Sequence, residues 1–160
     1  MSNPIKFDDT SWHEIEGRPL ERAVHIGFYA KWLALTGLLV KNLAAEAEGA
    51  KEKLRQGSLS ADGFLQEVMD GVIVNDQLTE EGLAFTSAYY EKHYGRDLSA
   101  TFPEQTDSFL KVADTQANYT KLASLLSRRF QEWRQGELLD PPKARFATGI
   151  KNLFPGRKRG

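Results

Sequence analysis

Two aspartates, a tryptophan and a histidine stand close together near the start of the chain, as Asp8, Asp9, Trp12 and His13. A second histidine, His25, is followed by Tyr29 and Trp32 at steps of four and three, the spacing of one helix face. A carboxylate held beside an imidazole can do general acid–base work, because a neighbouring charge moves a histidine pKa across neutrality. The same residues also make a satisfied polar patch inside a core, where buried polar groups find partners. The structural reading is the one adopted. Trp12, His13, His25, Tyr29 and Trp32 are expected to form a packed cluster with Trp12 lying on the helix stripe, and Asp8 or Asp9 is expected to reach a histidine or a backbone donor.

Other chemistries find little support in the residues. The chain has no cysteine, which excludes a disulfide framework, a thiolate nucleophile and a cysteine-type zinc site, and favours a cytoplasmic address. The three histidines, His13, His25 and His93, show no zinc-binding spacing, so no metal site is expected. No phosphate-cradling glycine loop, dinucleotide fingerprint or nucleophile elbow occurs. No cofactor is therefore expected.

These side chains need elements to hold them. The most apolar stretch, about residues 20–43, reads as a long central helix on the order of 36 Å in length that is apolar over more than half its circumference. Pro19 suits its first turn. Residues 1–19 read as an ordered but irregular arm. A mostly solvated alanine-, glutamate- and lysine-rich helix follows and ends at Gly57. Ser60 is placed to cap a short helix carrying Phe64, Leu65, Val68 and Met69. Residues 72–74 are β-branched and give at most a minor β element. Thr79 caps a helix to about His93, with Glu80 and Glu81 in its first turn. Residues 95–113 read as a structured loop with one turn of helix. The last strong helix starts after Asp114 and Thr115 and aligns Tyr119, Leu122, Leu126, Phe130 and Trp133 until Gly136 ends it.

The fold class expected is therefore mainly α, a single-domain helical bundle over residues 1–140 around that central helix. Residues 141–160 form a basic C-terminal extension in which Phe146, Ile150, Leu153 and Phe154 come together if helical, and this part is expected to dock on the body. The longest uncharged run is too short to span a bilayer.

A net charge of −1 hides an asymmetry: six of the 21 basic residues fall in the extension, which has no acidic residue, leaving 15 basic against 22 acidic in the body. Such a body repels phosphate, which argues against nucleic acid as its partner, and suits a basic protein surface. The acidic candidates for that contact are Asp8, Asp9, Glu14, Glu16, Asp62, Glu80 and Glu81.

Several motifs together carry a resemblance over about residues 5–135. They are Lys6-Phe7-Asp8-Asp9 with Ser11-Trp12-His13, His25-Ile26-Gly27 with Tyr29 and Trp32, Asp70-Gly71, Glu81-Gly82 with Phe85, Tyr89-Tyr90, Asp114-Thr115, Asn118-Tyr119, and Arg129-Phe130 with Trp133. In these the chain resembles a family of small uncharacterised bacterial proteins, similar to the immunity proteins that accompany polymorphic or contact-delivered toxins. The resemblance implies a non-enzymatic helical protein that neutralises a cognate toxin by occlusion. Two alternatives stay open: a small enzyme using the Asp/His/Trp cluster of the arm, and an adaptor that binds a membrane surface or nucleic acid through the basic extension. The residues do not fix the oligomeric state.

Overall fold

The computed structural model describes residues 4–13, 24–103 and 112–138. The chain is mainly helical with one small sheet, as its patterning predicts. Strand β1 (Lys6–Asp9) leads through a 3₁₀ turn (Thr10–His13), and helices α1 (Val24–Thr36), α2 (Lys41–Gln56) and α3 (Ala61–Met69) precede strand β2 (Val72–Val74). Helix α4 (Glu80–Tyr89), a wider π-type turn (Tyr90–Tyr94), α5 (Gly95–Thr101) and α6 (Gln116–Arg134) complete the order.

Helix α1 is the buried centre. Every residue from Val24 to Ala34 is enclosed, Lys31 and His25 included. It is shorter than the single helix expected over residues 20–43. Gly37 takes a left-handed φ of 79° and the Leu38 amide closes back onto the Leu33 carbonyl at 2.9 Å, which ends the helix. Leu38 and Leu39 then run extended and buried. The Thr79 amide donates to the Leu38 carbonyl at 2.9 Å and the Val40 amide to the Gln77 carbonyl at 2.8 Å, so the break is tied to the start of α4.

Helix α3 crosses α1 at Gly27. A Cβ there would come within 2.8 Å of Ala61 C and Asp62 N, so only glycine lets the two backbones approach this closely. The caps follow the sequence: Ser60 Oγ accepts from the Gly63 amide, Thr79 Oγ1 from Gly82 and Thr115 Oγ1 from Asn118.

Two other expectations change. Residues 6–9 of the irregular arm form a strand, antiparallel to β2 with Lys6 opposite Val74 and Asp9 opposite Val72. A register irregularity between Lys6 and Asp8 lets Phe7, Asp8 and Asp9 all turn inward, as bulged strands do. In the second change, the helix starting at Glu80 does not stop near His93 but passes through the π-type turn and continues as α5 to Thr101, in place of the loop expected from residue 95. On α6, Tyr119, Leu122, Leu126 and Phe130 are buried, and Trp133 packs half-buried at the end of the same stripe. The expected docked extension, residues 141–160, lies outside the described residues.

Candidate functional site

The bulged strand aims Asp8 straight into the core. Its carboxylate is fully buried, accepts from the Tyr90 hydroxyl at 2.6 Å and lies 3.5 Å from Nε2 of His25, itself on the buried face of α1. Tyr94 donates to the His25 carbonyl oxygen. The π-type turn makes this arrangement possible: its wider winding sends the consecutive residues Tyr89 and Tyr90 inward together with His93 and Tyr94. Tyr29 lies at the middle of the cluster, 4.8 Å from the Tyr90 ring, 5.2 Å from Tyr94 and 5.7 Å from Trp32 between centroids, with its hydroxyl 2.8 Å from Thr86 Oγ1. Burial pushes the hydroxyls of Tyr29, Tyr89, Tyr90 and Tyr94 well above the ordinary phenol range, so they stay protonated donors.

Asp8 and His25 thus stand side by side, and the Tyr29 and Trp32 rings pack together. Trp12 is half-buried in the 3₁₀ turn. His13 closes that turn, and its side chain is outside the described parts. Asp9 starts the turn: its carboxylate accepts from the Ser11 amide at 2.9 Å and the Ser11 hydroxyl at 2.8 Å, and Lys6 Nζ lies 2.9 Å away. Burial pushes this carboxyl up, but the hydrogen bonds from Lys6 and Ser11 outweigh it and leave the group below its usual range.

Burial also corrects the list of acidic contact candidates. Asp8 and Asp9, at 0% and 7% exposure, are committed to internal partners and are not displayed to another protein. Glu14 and Glu16 lie outside the described residues. Asp62 is half-buried in the first turn of α3, whereas Glu80 and Glu81 are exposed in the first turn of α4. Glu81 is already engaged, bound in a forked pair by Arg134 at 3.0 and 3.1 Å.

The fold adds two polar centres that the sequence did not announce. Asp97 accepts from Tyr89 at 2.7 Å and takes a two-pronged contact from Arg129 at 2.9 and 3.0 Å, joining α4, α5 and α6. Lys31, 4% exposed, donates to Gln116 Oε1 at 2.9 Å and sits 4.0 Å over the Tyr119 ring. Burial lowers its pKa, and Asp114 offsets part of that. Asp114 in turn receives the Ala61 and Asp62 amides at 3.2 and 2.9 Å, closing the start of α3 against the start of α6. Both centres join residues far apart in the chain, so no local pattern could reveal them.

A model of a domain of unknown function, DUF7832, matches residues 6–139. The chain belongs to the DUF7832 family. No curated protein and no solved structure matches it. The DUF7832 match spans β1 through the end of α6, so the buried Asp8–His25–tyrosine centre and the Asp97–Arg129 clasp both fall inside it. No group of three or more metal-ligating side chains stands together among the described residues, and no helix there is long and apolar enough to cross a membrane.

The surface has one further feature that composition alone obscures. Residues 56–91 contain seven acidic side chains and no lysine, arginine or histidine, while residues 1–55 balance at eight acidic against eight basic and residues 92–140 at seven against seven. The entire negative excess of the body thus lies in the segment that folds as α3, β2 and α4. Glu67, Asp70, Asp76 and Glu80 are exposed there and form no ion pair among the described residues. Gln77 Nε2 reaches the Met69 carbonyl at 3.2 Å, which draws the turn bearing Asp76 against the end of α3 that carries Glu67 and Asp70.

Proposed function

We propose that this DUF7832 chain is a protein-binding module of the immunity or antitoxin kind, which neutralises a bacterial toxin in the cytoplasm by covering its functional surface. The observation that carries the reading is the concentration of all the body's excess negative charge in residues 56–91, with Glu67, Asp70, Asp76 and Glu80 exposed and without an ion pair among the described residues. Unpaired exposed carboxylates steer a cationic partner and hold its lysines and arginines without any cofactor. The sign of this face opposes nucleic acid. The enzyme alternative requires a substrate to reach Asp8 or His25, and both are enclosed at 0% and 1% exposure, which weighs against it.

Co-expression with any toxin-like protein that proves to be encoded beside its gene tests the proposal. Restored growth and a stable complex between the two purified proteins are the expected outcome. Growth arrest unchanged by this chain would overturn the pairing.

A further inference from the structure

We draw no further inference here: the strongest candidate, the side-chain cluster of Asp8, His25 and Tyr90 where β1 meets α1 and the π-type turn, belongs to the site already described, and with Asp8 and His25 enclosed nothing there shows what a ligand or partner could reach.

Discussion

Asp8 is the residue that decides between chemistry and architecture. A buried carboxylate is tolerable only if hydrogen-bonded, and here the Tyr90 hydroxyl supplies one short bond while His25 stands beside it. Tyr90→Phe removes that donor from a fully enclosed acceptor and should cost about 1–3 kcal/mol, read as a lowered denaturant midpoint. An unchanged midpoint would mean that Asp8 is satisfied without Tyr90. Asp62 gives a prediction of opposite sign. Burial raises its pKa and the neighbouring Asp114 charge raises it further, with Gln66 opposing. The folded state therefore binds the proton more tightly than the unfolded chain. The resulting penalty is absent below the ordinary pKa of 3.8 and develops as pH rises through the raised value. Asp62→Asn should accordingly stabilise the fold at pH 7 and change little near pH 3, in paired thermal melts at the two pH values. At this scale the pairing of an arm aspartate with a histidine was legible, because both stand in short recognisable patterns. The Asp97–Arg129 clasp and the Lys31 centre were not, since each depends on which helices meet.

At the scale of elements, the close crossing of α1 and α3 sets the shape of the core. Gly27→Ala drives a methyl to 2.8 Å from the Ala61 and Asp62 backbone, where no side chain can swing away. Overpacking of this kind costs typically about 1–3 kcal/mol, and here it should also part the two helices, detectable as lost near-ultraviolet circular dichroism from Trp32 and the tyrosines. Retention of both signal and midpoint would show that the crossing is looser than described. Caps and apolar stripes made α2, α3, α4 and α6 readable from sequence. What escaped were places where a distant strand or turn overrode local propensity. The run of leucines around Gly37 reads as continuous helix, yet the stretch is pulled straight by the hydrogen bonds of the Leu38 carbonyl with Thr79 and of the Val40 amide with Gln77. The arm residues 6–9 have no strong strand pattern because their bulge turns three successive side chains inward, so the usual alternation is lost. The π-type turn likewise carries a helix past His93, where the sequence reading ended it, and on to Thr101.

Across the whole molecule, residues 1–55 and 92–140 balance their charges while residues 56–91 hold seven acids and no base, so the segment of α3, β2 and α4 carries the negative excess of an aromatic-filled body. A surface carried on helices whose inner sides are buried fits occlusion, because a surface ordered before binding spends little ordering cost on contact. If that face is the contact, charge removed there must matter far more than equal charge removed elsewhere. The decisive measurement is therefore the Kd for the cognate toxin of two full-length variants, E67Q/D70N/D76N on the proposed face and E46Q/E48Q/E52Q on the solvated side of α2, across a salt series. The face variant, folded and with an unshifted Tm, should lose at least a hundredfold in affinity and most of its salt dependence, whereas the α2 variant should stay within about threefold of wild type, as expected when buried interfacial charge pairs rather than net charge carry the binding. Equal losses in the two variants, or an undiminished affinity in the first, would contradict the assignment of the acidic face as the binding surface.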